Sequence, residues 1–227
     1  MIDLSICVLH YNRWDLTKDC LASIDAQDIP CSYEKVLVDN GSTIHWPKEE
    51  AEDKGWRIAW YSENRLHIVG QNRCFESAKG TWVLFVANDV RLESHCIKNL
   101  LDSGMQSEVP WAKFYIKQPR LYQPNGQIDN EGLMWWWPGY GTSLRGLRPW
   151  TPSSFSSSCY LMPKNVWERV GGFDEQLETS HEDIEFCLRA RKKGIWTERI
   201  WEAQTLHLGN ATLSHQPSHT SQAFHRD

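Results

Sequence analysis

The sequence predicts an α/β fold in which helices flank a mixed, mainly parallel central sheet within a single domain. The clearest evidence is the segment 82–87, which is apolar at every position and shows no polar alternation. Such a segment is typical of a strand buried on both faces, as in a parallel sheet covered by helices. Over residues 1–90, further apolar segments alternate with helical patterns, which favours βαβ units. The 227 residues are enough for one domain with a sizeable core.

Apolar patterns predict strands and helices in turn over the first half of the chain, about residues 1–92. Leu16, Cys20 and Ile24 recur at a helical spacing, and Gly55 ends a second helical pattern. The predicted strands are 5–9, 35–38, 56–61 and 81–86, and the predicted helices are 14–26, 47–54 and 70–79.

The second half, about residues 93–209, is less regular. Asn125-Gly126 is the strongest two-residue turn signal and predicts a hairpin over 121–128. Trp, Gly, Pro and Ser are frequent in 133–158, and such a long irregular segment is usually functional or mobile. The other predicted elements are helices 92–105, 164–170 and 180–193, strands 113–116 and 159–162, and one or two short strands within 195–207.

Composition and charge exclude several classes of protein. The net charge is −5 and no long run of Lys or Arg occurs, which argues against nucleic acid as a partner. No stretch approaches roughly 18 consecutive apolar residues, so no transmembrane segment is predicted, while peripheral membrane contact stays open. The seven cysteines include no Cys-x-x-Cys pair and favour free thiols. Because the N-terminus also lacks the features of a signal peptide, we expect a cytoplasmic location.

Tryptophan is unusually frequent. The chain has 13 tryptophans, of which Trp135, Trp136 and Trp137 are consecutive. Indole rings pack in cores and at partner interfaces, and they also stack on sugar rings and bases. The residues alone leave these roles open.

Polar residues follow three of the predicted strands. Tyr11 and Asn12 follow the first strand, Asp39 the second, and Asn88 and Asp89 the segment 82–87. Each has an explanation as a turn residue when taken alone. If the strands are parallel, however, these residues lie at one edge of the sheet, where open α/β sheets bind ligands. Together they predict a polar ligand site.

Two phosphate-binding motifs are absent from the sequence. The first strand is not followed by Gly-x-Gly-x-x-Gly, and no Gly-x-x-x-x-Gly-Lys-Ser/Thr occurs. A phosphorylated ligand at this site would therefore need a cation. The carboxylate of Asp89 could hold a metal ion that in turn holds phosphates, or it could cap the following turn.

A series of short segments carries a family resemblance over roughly residues 4–209. They are 5–12 (SICVLHYN), 36–43 (VLVDNGST), 63–80, 88–90 (NDV), 119–128, 170–189 and 207–209 (HLG). In this order they resemble glycosyltransferase family 2, the nucleotide-sugar-dependent transferases of GT-A (Rossmann-like) fold, and the rhamnosyltransferase-like branch is the most similar. The resemblance implies one domain over 1–209, with a nucleotide-binding half and an acceptor-binding half. The polar tail, 210–227, is expected to be poorly ordered alone.

The resemblance also implies roles for the polar residues. The implied nucleotide-sugar-binding residues are Tyr11, Asn12, Asp39, Asn64, Asn72 and Asn88. Asp89 stands where the family's metal motif ends, and with His207 it is implied to hold Mn²⁺ or Mg²⁺. Without the resemblance, His207 is more often an ordinary histidine than a ligand.

Asp183 has two readings. Ser180 followed three residues later by Asp183 matches a capping box, and an acid there also suits the helix dipole. The residues alone favour that structural reading. The resemblance instead makes Asp183 the catalytic base for the acceptor hydroxyl, with Glu182 as the neighbouring candidate. The tryptophans Trp135–Trp137 would then line the acceptor side.

Some positions depart from the family pattern. Leu66 and Cys74 stand where the family often has glycine. Ala87 stands where the first acid or amide of the metal motif is expected, which leaves Asp89 as its only carboxylate. One carboxylate can suffice when substrate phosphates complete the coordination, but weak metal binding and metal independence also stay open.

The expected function is that of an inverting, metal-dependent glycosyltransferase of hexosyltransferase type, active in glycan or polysaccharide synthesis. It would move a sugar from a UDP-, dTDP- or GDP-linked donor to a hydroxyl of a glycan, a lipid-linked acceptor or a protein. One alternative, motivated by Ala87, is a non-catalytic module that binds nucleotide sugars or glycans. A second is a sugar nucleotidyltransferase, but that class has a Gly- and Arg-rich first loop, which the segment 10–13 is not.

Overall fold

The protein was analysed as a computed structural model that describes residues 1–103, 115–136, 140–143, 154–177 and 180–209. The strands are β1 (Leu4–His10), β2 (Tyr33–Asp39), β3 (Trp56–Trp60), β4 (Trp82–Ala87), β5 (Val90–Leu92), β6 (Tyr115–Tyr122), β7 (Ile128–Asn130), β8 (Leu133–Trp136), β9 (Tyr140–Ser143), β10 (Cys159–Pro163) and β11 (Trp196–His207). The helices are α1 (Trp14–Asp25), α2 (Lys48–Glu52), α3 (Leu66–Ser77), α4 (Cys96–Ser103), α5 (Lys164–Val170) and α6 (Glu182–Arg191), with a 3₁₀ turn at Glu175–Leu177.

The main sheet has the strand order β3-β2-β1-β4-β10-β6-β11-β5, and β7 pairs with β6. The first four of these strands are mutually parallel. Next to them, β10 runs antiparallel to β4 and β6, β11 runs parallel to β6, and β5 runs antiparallel to β11. The predicted α/β class and mixed sheet are therefore confirmed, and one sheet joins both halves of the chain.

Helices cover both faces of this sheet, as the unbroken apolar segments predict. Every residue of β1 is buried. Ile6 and Val8 pack on one face in an apolar cluster with residues of α1 and α4. Cys7 and Leu9 pack on the other face with residues of α3, α5 and α6. Full burial of each such side chain stabilises the fold by about 1.5–3 kcal/mol, so the central strands are anchored from both sides.

Register brings the polar strand ends together. His10 of β1 is paired with Asp39 of β2, and Leu9 is paired with Ala87 of β4. Residues 11–12, 39–43 and 88–89 therefore lie at the same end of the sheet, and we call these residues the polar edge. The prediction that three strands deliver their polar residues to one edge is confirmed.

Several element boundaries differ from the predictions for tertiary reasons. Helix α3 begins at Leu66 rather than at 70, because the side chain of Asn64 accepts a hydrogen bond from the Leu66 backbone N–H at 2.9 Å. The predicted start of the next helix at Leu92 was wrong, because 90–92 pair with the distant strand β11 instead.

The second half also contains more strand than predicted. The predicted hairpin is confirmed, with a turn at Asn125-Gly126 between β6 and β7. The segment 133–158, predicted to be irregular, contains the β8–β9 hairpin. The final segment is one long strand, β11, whose register shifts between Ile200 and Gln204. Residues 113–114 and the tail 210–227 lie outside the described residues. Among the helices that are described, none has the length and apolar character needed to cross a membrane.

Candidate active site

Asn12 holds two parts of the polar edge together. Its backbone is left-handed, with φ of 58°, a conformation that Asn tolerates better than most residues. Its side-chain Oδ1 accepts hydrogen bonds from the N–H groups of Thr43 at 2.8 Å and Ile44 at 3.0 Å. Its own N–H donates to Ser42 Oγ at 3.0 Å. Asn12 thus fixes the loop after β2, and Tyr11 beside it is half-buried.

Asp39 is buried at the end of β2, with 1% of its surface exposed. Its Oδ1 accepts a hydrogen bond from the Ser42 N–H at 2.8 Å, and its Oδ2 accepts one from the Trp46 indole at 2.9 Å. Each carboxylate oxygen has a second acceptor site, so a ligand could still bond to it. The role of Asp39 in nucleoside binding stays a prediction, and its described contacts shape the loop.

Asn64 belongs to a network that joins the polar edge to α3. Its Oδ1 accepts hydrogen bonds from the Leu66 N–H at 2.9 Å and from the Asn40 amide at 3.1 Å. The Asn40 Oδ1 accepts in turn from the Arg73 guanidinium, which stacks 4.1 Å from the centre of the Tyr61 ring. The network orients the loop before α3.

The other two predicted amides also bond to protein groups. The Asn72 amide donates to the Phe173 carbonyl at 3.0 Å, and its Oδ1 accepts from the Phe173 N–H at 2.9 Å. The Asn88 amide donates to Thr17 Oγ1 at 3.0 Å, which ties the end of β4 to α1. Donor binding by either residue stays a prediction.

The structure brings the two predicted metal ligands together. Val90 of β5 pairs with His207 of β11, which sets His207 Nε2 3.6 Å from Asp89 Oδ2. The other ring nitrogen, Nδ1, lies 2.7 Å from Asp129 Oδ2 on β7. Each nitrogen of His207 therefore faces a carboxylate.

These carboxylates change the proton affinity of His207. Burial alone would lower its pKa, but the hydrogen bonds and negative charges of Asp89 and Asp129 outweigh burial and raise the pKa from 6.5 to about 9. At neutral pH the ring carries a proton on both nitrogens and bridges the two acids. A cation bound between Asp89 and His207 would replace the proton on Nε2.

The donor set fits a divalent cation of the expected kind. A carboxylate oxygen suits both Mg²⁺ and Mn²⁺, and an imidazole nitrogen shifts the preference toward Mn²⁺. Within the described residues, no group of three or more His, Cys, Asp and Glu side chains is placed to hold a metal. The remaining ligands would have to come from substrate phosphates and water, as is usual for such ions.

Glu182 and Asp183 begin α6 in different surroundings. Glu182 is almost fully buried, and its Oε1 accepts a hydrogen bond from the Gln71 amide at 2.9 Å. The Gln71 Oε1 accepts from the Tyr160 hydroxyl at 2.8 Å, which completes a buried polar chain. His67 Nε2 also approaches Glu182 Oε1, at 3.8 Å. Glu182 is thus held in place by its neighbours.

Asp183 has an environment suited to proton transfer. It is 8% exposed, and its Oδ1 accepts a hydrogen bond from the Ile184 N–H at 2.8 Å. Burial, followed by repulsion from the charge of Glu182, raises its pKa from 3.8 to about 7, against the opposing effect of backbone hydrogen bonds. A carboxyl group with this pKa can accept a proton near neutral pH and still drive the transfer.

Asp183 lies at the same end of the sheet as the metal pair. One of the backbone groups that acts on Asp183 is that of Ser157. The next residue, Ser158, accepts a hydrogen bond from the Ala87 N–H at 2.8 Å, immediately before Asn88 and Asp89. The N-terminus of α6 therefore lies close to the end of β4.

The capping box predicted at Ser180 was wrong. The residue that precedes the helix is His181, with left-handed φ of 69°, and its side chain forms no capping hydrogen bond. The Ser180 hydroxyl bonds instead to His181 Nδ1 at 2.9 Å. The capping box is therefore absent, while the favourable interaction of an acid in the first turn of α6 with the helix dipole remains.

The tryptophans predicted to bind the acceptor are described only in part. Trp135 and Trp136 lie on β8, where their backbones pair with Gly141 and Tyr140 of β9. Trp137 lies outside the described residues. Acceptor binding by this segment stays a prediction.

Sequence reasoning missed the residues that support the site from a distance. These are Asp129 beside His207, Trp46 beside Asp39, and Gln71 with Tyr160 beside Glu182. The fold brings each of these residues close to its partner, and no local sequence motif marks the contact. Only the Asn-Gly turn before Asp129 gave any signal, because it placed that residue in a hairpin.

Comparison with known proteins shows which family this chain matches. The family model for glycosyl transferase family 2 matches residues 5–171. The O-antigen biosynthesis protein RfbC of Myxococcus xanthus is 24% identical over 92% of this chain, which spans 17% of that relative. The low-salt glycan biosynthesis hexosyltransferase Agl10 of Haloferax volcanii is 24% identical over 85% of this chain, which spans 63% of that relative. The chain thus spans less than two thirds of either curated relative.

Solved structures share the fold. GalNAc-T7 with UDP, GalNAc and Mn²⁺ has a TM-score of 0.73 at 12% identity, over 91% of this chain and 44% of its own. S. aureus TarS 1–349 with UDP-GlcNAc has a TM-score of 0.69 at 18% identity, over 96% and 62%. The mannosyltransferase PcManGT of Pyrobaculum calidifontis, with GDP-Man and Mn²⁺, has a TM-score of 0.64 at 15% identity, over 90% and 56%. These likenesses establish the GT-A fold for this chain.

Proposed function

The chain belongs to glycosyl transferase family 2, and from this membership we propose that it transfers a sugar from a nucleotide diphosphate donor to an acceptor hydroxyl. The observation that carries the proposal is the environment of Asp183, a buried carboxyl group with a pKa of about 7. Asp183 lies near the end of β4. Asp89 and His207 meet at the same end of the sheet. A base, together with a pair of side chains that could hold a cation for the leaving diphosphate, would serve a direct displacement at an anomeric carbon.

Asp183 would act as the general base in one step. The acceptor oxygen attacks the anomeric carbon as its proton passes to the carboxylate of Asp183, and the bond from that carbon to the diphosphate oxygen breaks. The nucleotide diphosphate leaves with the bonding electrons. A single displacement inverts the anomeric carbon, so we propose an inverting enzyme. The neighbouring carboxylate of Glu182 would help to raise the pKa of Asp183. The hydrogen bond from Gln71 would hold this carboxylate in place.

Asp89 Oδ2 and His207 Nε2 would hold Mn²⁺ or Mg²⁺. When bound, such a cation neutralises negative charge on the leaving diphosphate. Asp39 would bind the nucleoside with the loop that Asn12 fixes, and the donor would be UDP-, dTDP- or GDP-linked. The nucleotides and sugars bound by the solved neighbours, UDP, UDP-GlcNAc and GDP-Man, support this class of donor.

The acceptor is proposed to be a hydroxyl of a growing glycan, carried on lipid, protein or polysaccharide. The curated relatives are named for O-antigen and low-salt glycan biosynthesis, which supports this class of acceptor. All seven cysteines are free thiols, and six of them are buried. Free thiols are typical of a reducing compartment, so we propose that transfer takes place on the cytoplasmic side.

The test combines binding with turnover. Calorimetry with UDP-, dTDP- and GDP-sugars, with and without Mn²⁺, should find one base that binds and a gain in affinity with the metal. The donor that binds should then be hydrolysed slowly, or transferred to a glycan acceptor with inverted stereochemistry. Binding without either reaction for any acceptor would support a non-catalytic module instead. Pyrophosphate-dependent exchange would support a nucleotidyltransferase.

A further inference from the structure

Asp129 links the β6–β7 hairpin to the pair formed by Asp89 and His207. Its Oδ2 lies 2.7 Å from His207 Nδ1, and its Oδ1 accepts a hydrogen bond from the Gln123 amide at 3.1 Å. Both oxygens of the carboxylate are therefore held, one by the hairpin and one by the histidine. Gln123 in turn belongs to the base of the turn, since its N–H donates to the Gln127 carbonyl at 2.8 Å.

The contact with Asp129 decides which nitrogen of His207 can bind a cation. A carboxylate that accepts from Nδ1–H keeps the proton on that nitrogen, so the lone pair of the neutral ring is on Nε2. Nε2 is the nitrogen that lies 3.6 Å from Asp89 Oδ2. Partners of this kind fix the orientation of a ligating histidine and raise its basicity, and their loss typically weakens metal binding about 10–100-fold.

We propose that Asp129 is a positioning residue of the metal site: it holds His207 in the tautomer and orientation in which Nε2 and Asp89 bind one divalent cation. This inference rests on the proposed function, since it needs the cation that the donor diphosphate requires. It also makes the hairpin of 121–130 part of the metal site, so the packing of this hairpin sets metal affinity. The rival reading is an ion pair that only stabilises the hairpin.

Metal binding itself separates these readings. Mn²⁺ affinity is measured by the loss of the free-ion electron paramagnetic resonance signal, with Mn²⁺ alone and with UDP or GDP. Pulsed measurements on the bound ion report whether a histidine nitrogen is a ligand. For Asp129→Ala, we expect Mn²⁺ affinity to fall about 10–100-fold with a weakened nitrogen signal. Asp129→Asn keeps an acceptor for Nδ1–H and should lose less affinity, with the nitrogen signal retained.

Two variants serve as references. His207→Ala should abolish the nitrogen signal, and it gives the readouts expected when the histidine ligand is missing. Gln127→Ala removes an exposed side chain from the same hairpin and should leave both readouts at the wild-type level. If Asp129→Ala lowers the melting temperature but keeps wild-type affinity and nitrogen signal, Asp129 is structural only and the inference is overturned. Should Asp129→Ala fail to fold, Asp129→Leu replaces it, because leucine has a similar size and no acceptor for Nδ1–H. Wild-type Mn²⁺ affinity and nitrogen signal in that variant would overturn the inference.

Failure of the proposed function looks different. If the wild-type protein binds no nucleotide diphosphate and no Mn²⁺, the transferase proposal fails before Asp129 is tested. If the wild-type protein binds both and the Asp129 variants match it, the transferase proposal survives and only the inference is rejected.

Discussion

Replacement of Asp183 by asparagine should make the protein more stable and much less active. Asn keeps the size of Asp and can still accept the hydrogen bond from the Ile184 N–H. It carries no charge, so it avoids both the burial of a carboxylate and its repulsion from Glu182, the two causes that raise the pKa of Asp183. It also cannot take a proton from an acceptor at neutral pH.

The size of the stability effect follows from the pKa. Because the folded pKa of about 7 lies above the ordinary 3.8, ionisation of Asp183 costs nothing well below pH 3.8 and has its full cost above about pH 7. At about 1.4 kcal/mol per pKa unit, that cost is about 4 kcal/mol near pH 8 and about 2 kcal/mol near pH 5. Loss of the favourable dipole interaction subtracts about 0.3–1 kcal/mol. The relief of buried charge is the larger effect, so the net gain near pH 8 is about 3 kcal/mol.

Urea unfolding of wild type and Asp183→Asn across this pH range checks the stability effect. A gain of about 3 kcal/mol corresponds to a rise in melting temperature of about 6–12 °C for a domain of this size. The gain should shrink as the pH falls, because the wild-type carboxyl group becomes protonated. Asp28→Asn makes the same chemical change at an exposed position and serves as the control.

Turnover is the second readout for Asp183. Donor affinity should persist, while transfer falls about 10²–10⁴-fold, the usual contribution of a positioned base. A variant that is less stable than wild type near pH 8 would refute the buried-charge reasoning. A variant with near-wild-type turnover would remove Asp183 from the mechanism, whatever its stability.

Three further changes test the surrounding site. Glu182→Gln removes a charge that raises the pKa of Asp183. The pH at which turnover reaches half its maximum should therefore be lower in this variant than in the wild type. A loss of turnover greater than in Asp183→Asn would instead make Glu182 the base. Asp89→Ala should abolish the gain in UDP or GDP affinity caused by Mn²⁺ while nucleoside binding survives in calorimetry, and a full metal effect would place the cation elsewhere. Asp39→Ala would leave the polar groups of the bound nucleoside without their acceptor, so it should weaken nucleotide binding by on the order of 1–3 kcal/mol. Unchanged affinity in the folded variant would rule that role out.

The polar edge could be predicted because its cause is local. Apolar segments of three to six residues mark the central strands, and the residues that follow each one must lie at the end of the sheet. The register of β1 with β2 and β4 then places Asn12, Asp39 and Asp89 together. No knowledge of distant contacts was needed for this part of the site.

The residues that hold the site residues in place could not be predicted in the same way, because they act through contacts between distant parts of the chain. Asp129 meets His207 because β7 pairs with β6 and β6 pairs with β11. The Asn125-Gly126 turn predicts the first pairing, but the second has no signal in the local sequence. Strand β5 is three residues long and exists only through its pairing with β11. The start of α3 likewise depends on Leu66, which adopts left-handed φ of 65° where the family often has glycine. A non-glycine residue in that conformation is held by its surroundings, here by Asn64.

The same long-range contacts bear on Ala87, the departure that raised doubt about the metal. Ala87 packs at the margin of both apolar clusters, and its N–H bonds to the Ser158 carbonyl, so this position serves the sheet. In the proposed site, the negative charge that a carboxylate at 87 would supply comes from Asp129, which acts on the cation through the ring of His207. A divalent ion there would have Asp89 as a ligand, and Asp129 would support the imidazole ligand His207. Charge balance with the donor diphosphate therefore does not require an acid at 87, and the loss of one motif residue is compatible with metal-assisted transfer.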